Sequence, residues 1–494
     1  MQETIACKGN RKSSKMTNKF ISILFLLLML IACDDTSGNN GDNTGGEKPE
    51  QSIDSQNIIR AMTLVDNAVK NYFTGDGMAM ARYYNPYTNS RSEEKGSVWM
   101  YTSSIEAVNA ILHALETQKE HGNSELYNLH FDRYKLLLGK LYENAAYYKG
   151  TYTLTSYTQT KEWTVYGVNR SGSKGSANVE GVENVYDDQQ WMIREMLEAY
   201  AVTGEANYLE HAEYLTDYVL DGWDCVPDNN GKEYGGITWG PGYTTKHSCS
   251  NGPMVSPLVW LYKIYKDKND EITYRYIDTD YSRKTIQMKK SEYYLKFAKA
   301  VYEWQKTYLK RSDGVYDDMM GGCDPNCDVQ YETINGSKYR KHANLRDRVG
   351  PPYSYNTGTM LSGASDLYSV TQDAIYLDDI EKMTRASFSY FAKKDANVPG
   401  YYTYEVSGFN NWFNGVLMRS YIDAYPYFNG ASVCIATFQS NLDYAYDKFL
   451  YKESLPSNLL VGWNIDKSKN NVESMFIFTF AAEYANLARY EIEK

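Results

Sequence analysis

From residue 53 onward, apolar residues recur at i, i+3, i+4 and i+7 in twelve separate stretches, the period of a helix with one buried face. The stretches are 53–73, 99–120, 124–147, 188–203, 205–222, 251–267, 289–310, 354–371, 374–393, 408–426, 430–449 and 472–491. No long run alternates apolar and polar residues, so strands are expected to hold less than a tenth of the chain. Only 233–247 alternates enough for a short hairpin. A chain built this way must bury its helical faces against one another, which restricts it to helix-on-helix architectures.

The helices are expected in pairs. Thr203-Gly204-Glu205 joins two of them through a glycine suited to the left-handed turn after a helix end, and residues 371–374 form a similar link. Longer segments rich in glycine, asparagine and aromatic residues lie at 148–187, 223–250 and 311–353, and long loops in a compact domain are often functional. Six helical hairpins with short turns at one end and long loops at the other point to an all-α closed toroid, an (α/α)6 barrel. An open helical solenoid is the competing arrangement. An even count of twelve favours closure, and one domain is expected over 53–494.

The first 33 residues read as a targeting segment. Lys8, Arg11, Lys12, Lys15 and Lys19 precede the apolar run Phe20 to Ala32, which is too short for a bilayer span of about 20 residues. Met16 offers a more usual start for such a segment. Leu30-Ile31-Ala32-Cys33 resembles a bacterial lipobox, so residues 1–32 are expected to be removed and Cys33 lipidated. Residues 33–52 then form a flexible tether. The expectation is a membrane-anchored protein of the bacterial outer membrane, facing the periplasm or displayed at the surface.

Five cysteines remain: Cys225, Cys249, Cys323, Cys327 and Cys434. An odd number leaves at least one thiol free or paired between chains. Cys323 and Cys327 are placed to close a small loop in an oxidising compartment.

The net charge of −11 and the lack of a basic stripe argue against nucleic acid. No phosphate-binding glycine loop, H-E-x-x-H zinc motif or G-x-S-x-G elbow occurs, so no metal, nucleotide or other cofactor is expected. The 48 tyrosines offer flat faces with a hydroxyl, which suits either sugar-stacking surfaces or a tyrosine-rich core.

The sharpest local feature is Val185-Tyr186-Asp187-Asp188-Gln189-Gln190-Trp191, at the start of the fourth helical pattern. One reading is helix capping, with Asp187 as N-cap and Gln190 three residues on. The other is a glycosidase carboxylate pair, one acid to protonate the leaving oxygen and one carboxylate facing the anomeric carbon. Neighbouring Cα atoms lie about 3.8 Å apart, so the two carboxyls can reach the roughly 5–5.5 Å separation of retaining enzymes. Repulsion within the pair would raise one pKa while helix amides hold the other down.

In its ordered landmarks the sequence resembles glycoside hydrolase family 76, the bacterial endo-α-1,6-mannanases. The adjacent Asp187-Asp188 followed by Trp191 matches the family's hallmark. Leu220-Asp221-Gly222-Trp223 and Gly235-Gly236-Ile237-Thr238-Trp239 follow in the family's order. Cys249-Ser250-Asn251-Gly252 resembles its S-N-G helix start, Ser354-Tyr355-Asn356-Thr357-Gly358 its Y-N-x-G helix start, and Trp99 opens an upstream helix. The resemblance covers about residues 55–490. It implies an (α/α)6 barrel and a retaining reaction, with Asp187 as nucleophile and Asp188 as general acid/base. It implies a substrate site including Trp99, Trp191, Trp239, Asn251, Tyr355, Asn356 and Trp412, and a monomer acting on α-mannan.

Departures lie at Phe413-Asn414-Gly415, where the family often has F-K-G, and in the extended loops 148–187 and 311–353. Tyr316-Asp317-Asp318 repeats the Tyr-Asp-Asp string without a following tryptophan and is expected to line or shape a loop. Asp324 to Asp328 has calcium-loop spacing but lacks the required glycine and glutamate. Trp239, Trp412 and Trp463 are each a sugar platform or a core residue. Two rival functions remain: a SusD-like glycan-binding lipoprotein without hydrolytic activity, and an (α/α)6 hydrolase of another glycan, such as an unsaturated-uronyl hydrolase.

Overall fold

The computed structural model describes residues 52–494. The expected signal segment 1–32, Cys33 and the tether up to residue 51 lie outside the described residues. Within them the chain is mostly helical, with twelve α-helices: α1 Ile53–Tyr72, α2 Val98–Glu120, α3 Glu125–Ala145, α4 Tyr186–Thr203, α5 Ala206–Leu220, α6 Gly252–Tyr265, α7 Lys290–Leu309, α8 Ser354–Thr371, α9 Ala374–Phe391, α10 Asn410–Ala424, α11 Ala431–Phe449 and α12 Ser474–Glu493. Each coincides with one of the periodic stretches.

The even-numbered helices meet in cyclic order, α2 on α4, α4 on α6, α6 on α8, α8 on α10, α10 on α12, and α12 back on α2. Each odd-numbered helix packs outside this ring, α3 on α2, α5 on α4, α7 on α6, α9 on α8, α11 on α10, and α1 against α12 and α2. Sequence composition follows position. Residues 472–485, which run into α12, are buried without interruption, as a helix surrounded by protein on all sides requires. Helix α3 buries a stripe of Phe131, Tyr134, Leu138 and Leu141 and leaves Leu129 and Leu136 exposed.

The short links are set by local chemistry. Gly204 takes a left-handed φ of 70° and its N–H closes on the Tyr200 carbonyl, while Gln372 ends α8 at φ 56°. α2–α3 and α10–α11 are joined by short links as well, and longer segments, which hold the strands, join the remaining helix ends.

Strand content exceeds the expected tenth of the described residues. Two antiparallel hairpins account for nearly half of it, Lys149–Thr155 with Thr160–Tyr166 and Glu271–Ile277 with Arg283–Lys289. The first does alternate: Gly150, Tyr152 and Leu154 point inward, and on the outer face the Thr151 and Thr164 hydroxyls meet at 2.8 Å. That period of two is short, and in the sequence it merges with the surrounding polar loop. The hairpin expected at 233–247 does not form. Ile237 bridges Trp223, Glu233 bridges Pro227, and Lys246–His247 pairs with Met319–Met320 instead. Gly235 and Gly236 turn the chain there at φ 73° and 80°, where a side chain would be strained.

Candidate active site

Helix α4 begins two residues earlier than the capping reading requires. Val185 is the N-cap and supplies no side-chain hydrogen bond, so Asp187 and Asp188 lie in the first turn, near amides that the helix leaves unbonded. Three contacts fix this turn. The Tyr186 N–H donates to the Trp239 carbonyl at 2.7 Å. The Gln189 side chain accepts from the Tyr166 N–H at 3.1 Å and donates to its carbonyl at 2.7 Å. Gln190 Nε2 donates to the Ser250 carbonyl at 2.6 Å. The string read as a capping signal is thus a set of ties to the first hairpin and to the start of α6.

Asp187 opens onto a cavity of about 470 Å³. Trp191, Trp412, Trp99 and Phe409 form one wall, Tyr353, Tyr355 and Phe413 a second, and Trp239, His247, Cys249 and Asp318 a third. The aromatic wall is braced edge-to-face, Trp191 on Trp412 at 4.7 Å and Trp99 on Trp412 at 5.1 Å. The Trp412 indole N–H donates to Glu106 Oε2 at 3.2 Å, and Arg419 pairs with the other oxygen of Glu106. Three polar atoms at the cavity lack a hydrogen-bond partner: Asp187 Oδ1, Trp99 Nε1 and Trp239 Nε1. Buried polar atoms are normally satisfied, and the nearest donors to Asp187 are the Trp239 indole and the Cys249 thiol.

The carboxylates are set apart electrically. Burial raises Asp187, opposed by the nearby Cys249 thiol, the Trp239 indole and the backbone amides of residues 187 and 188. Burial and then the charge of Asp187 push Asp188 well above the ordinary carboxylate range. The proton of the pair therefore belongs on Asp188. Asp318 is pushed up to about 6 by burial and then by Asp187 and Asp317. His247 is driven down to about 4 by burial, which keeps it neutral near pH 7.

Of the residues expected at the site, Asp187, Trp99, Trp191, Trp239, Tyr355 and Trp412 line the cavity together. Asp188 is buried beside Asp187 and is not part of the lining. Asn251 and Asn356 do not reach it. Asn251 accepts from the Ile237 N–H at 2.8 Å and donates to the carbonyls of Ile237 and His247, so it holds the Trp239 segment onto α6. Asn356 donates to the Tyr316 carbonyl at 3.3 Å. An amide at a helix start finds backbone partners before it finds solvent, and both residues are fully buried. Trp463 packs elsewhere, donating to the Phe449 carbonyl.

The family model described as glycosyl hydrolase family 76 matches residues 137–274 and 284–429, more than half of the chain. The chain belongs to glycosyl hydrolase family 76. The break in the match falls at the tip of the hairpin between α6 and α7. Solved structures share the fold. The family 76 mannosidase Bt3792 of Bacteroides thetaiotaomicron has a TM-score of 0.64 at 18% identity, covering 88% of this chain and 99% of that one. An inactive α-1,6-mannanase variant of Salegentibacter sp., with two consecutive aspartates replaced by alanine and α-1,6-mannotetrose bound, has a TM-score of 0.58 at 18% identity, covering 88% and 99%. Dfg5 of Chaetomium thermophilum, in complex with glucosamine, has a TM-score of 0.53 at 12% identity, covering 88% and 90%. Among curated proteins none matches the chain.

In this family 76 chain the residues that sequence reasoning passed over are Asp318, His247, Cys249, Tyr353, Phe409 and Phe413. Asp318 had a visible signal, the repeated Tyr-Asp-Asp. It reaches the cavity because its carbonyl accepts the Ser248 N–H at 2.7 Å and its N–H donates to the Val349 carbonyl. Phe413 and Tyr355 stack at 4.4 Å, and the neighbouring Asn414 accepts from Ser354 Oγ. Cys323 and Cys327 form a disulfide, and Cys225, Cys249 and Cys434 are free and buried. Among the described residues no helix is long and apolar enough to cross a membrane.

Proposed function

We propose that this protein is a retaining endo-α-1,6-mannanase built as an (α/α)6 barrel. The observation that carries the reading is Asp187, a half-buried carboxylate with an unpartnered oxygen at an aromatic cavity, next to a carboxyl that keeps its proton. Asp187 attacks the anomeric carbon, and Asp188 protonates the departing glycosidic oxygen as that bond breaks. Asp188 then takes a proton from the water that releases the glycosyl-enzyme. Trp99, Trp191, Trp239, Tyr355 and Trp412 supply faces for the sugar rings, the indole N–H of Trp99 donates to a hydroxyl, and that of Trp239 is directed at Asp187. Asn251 and Asn356 act by fixing the backbone around the cavity. The cyclic packing of the even-numbered helices supports the barrel, and the mannanases and mannosidase among the neighbours support mannan as the substrate.

Asp318 supports a second assignment of the acid. It lines the cavity with Asp187 and carries a proton up to about pH 6, whereas Asp188 is outside the lining. Rescue separates the two: azide or formate restores turnover only where the missing group is the one that serves the departing or entering oxygen. A glycan-binding protein without activity has no use for a split carboxylate pair, and family membership disfavours that reading. We propose further that Cys33 carries a lipid that holds a monomer at the bacterial outer membrane, with residues 34–52 as the tether. A Cys33→Ala protein that stays in the membrane fraction overturns the anchor. Purified residues 34–494 on unbranched α-1,6-mannan should release oligosaccharides of several lengths, and a lack of new reducing ends overturns the function.

A further inference from the structure

A second cavity, of about 520 Å³, lies against the first and shares Tyr353 and Asn410 with it. One wall comes from Pro351, Pro352 and Tyr353 at the entry to α8 and from Tyr390, Phe391 and Lys393 at the end of α9. The rest of the lining comes from residues 403–406, with Thr403 paired to Lys393 in a short antiparallel ladder, and from the start of α10. The walls are braced: Ser354 Oγ donates to Asn414 Oδ1, and Asn414 Nδ2 donates to the Glu405 carbonyl, each at 2.8 Å. Glu405 turns its carboxylate onto the amides of Val406 and Ser407.

The chemistry of this groove is that of an uncharged carbohydrate. Half-buried aromatic faces, Tyr353, Tyr390 and Phe391, stand beside amide and hydroxyl groups. Among the lining residues Lys393 is balanced by Glu405, and the Arg311 guanidinium, 5.5 Å over the Tyr390 ring, is held by Asp313 and Asp317. An anionic ligand would find no net attraction. Each cavity falls within the roughly 300–1,000 Å³ that encloses a drug-sized ligand, so the two in series take a longer chain than the cavity at Asp187 alone.

We propose that this groove is a distal arm of the substrate cleft, in which Tyr390 stacks on sugar units of a neutral hexose chain that leaves the cavity at Asp187 between Tyr353 and Asn410. The proposal rests on the glycosidase reading and deepens it, because it makes this chain selective for long substrates. Binding at Tyr390 is remote from the bond that breaks, and such binding energy is expressed at the reacting centre.

The test is kinetics on α-1,6-manno-oligosaccharides from a trisaccharide to an octasaccharide. For the wild type kcat/KM should climb as the chain grows long enough to fill the groove. Tyr390→Ala should lose about tenfold on the octasaccharide and less than about twofold on the trisaccharide. Tyr390→Phe, which keeps the ring, should behave as the wild type. Thr403→Trp narrows the groove beside Lys393 and should give the same selective loss if Tyr390→Ala fails to fold. A well-folded Tyr390→Ala or Thr403→Trp protein that keeps the wild-type length dependence overturns the proposal, as does a wild type indifferent to length. A wild type that cleaves none of the oligosaccharides overturns the glycosidase reading itself, which is a different result from cleavage without length dependence.

Discussion

The tripeptide Tyr-Asp-Asp occurs twice, at 186–188 and 316–318, and both copies bring one carboxylate to the same cavity. Their surroundings differ. At 186–188 the string opens a helix, neither aspartate has a salt-bridge partner within reach, and the two carboxyls act on each other. At 316–318 it leads into the strand Met319–Gly321, and Asp317 is neutralised by Arg311 at 3.2 Å and Arg348 at 2.8 Å. Asp318 is left to face Asp187 across the cavity lining. Adjacent acids become a proton-sharing pair only where no cation relieves them. The second copy is a structural aspartate joined to a site aspartate.

Four substitutions test that contrast, in falling order of effect. Asp187→Asn should lower kcat on mannan at least about a thousandfold, since no glycosyl-enzyme forms. Its melting temperature should stay near that of the wild type, because Val185 and not Asp187 caps the helix. Asp188→Asn should cost roughly a hundredfold to ten-thousandfold on mannan but much less on an aryl mannoside whose leaving group needs no proton. Equal losses on both substrates would move the acid role to Asp318.

Asp318→Asn should lower kcat/KM by about ten- to a hundredfold if the carboxylate holds a sugar hydroxyl, and it should stabilise the fold. Its pKa is raised to about 6 by burial, so the native state holds the proton more tightly than the unfolded chain. Wild-type stability therefore falls as pH rises from about 4 to about 6. Urea unfolding should find the variant more stable by about 1–3 kcal/mol at pH 7, with the advantage fading toward pH 4. Asp317→Asn should do the opposite. Losing pairs to two partly exposed arginines should cost about 1 kcal/mol, with activity within about tenfold of the wild type. If Asp317→Asn instead matches Asp187→Asn in kcat, the two copies are not different in kind.

The helices were legible because each depends on contacts three and four residues apart, which the sequence displays directly. All twelve stretches are helical, down to the left-handed turn at Gly204. The hairpin Lys149–Thr155 with Thr160–Tyr166 was not, since seven residues of alternation are a weak signal inside a polar loop. At the site the aromatic cluster was legible from tryptophans at helix starts. The roles of Asn251 and Asn356 were not, because the sequence places an amide at a helix start without saying whether it turns outward or onto a neighbouring backbone carbonyl.

The sequence by itself determined the helical content, the helix order, the family and the Asp187-Asp188 pair. These follow from local periodicity and from residue types in a fixed order. Only the tertiary structure decided that Val185 caps α4, that Arg311 and Arg348 claim Asp317, and that Asp318 joins Asp187 from 131 positions away in the chain. Charge pairing and desolvation are properties of neighbours in space: Arg311 reaches Asp317 from within the same loop, while Arg348 and the approach of Asp318 to Asp187 come from distant elements of the fold.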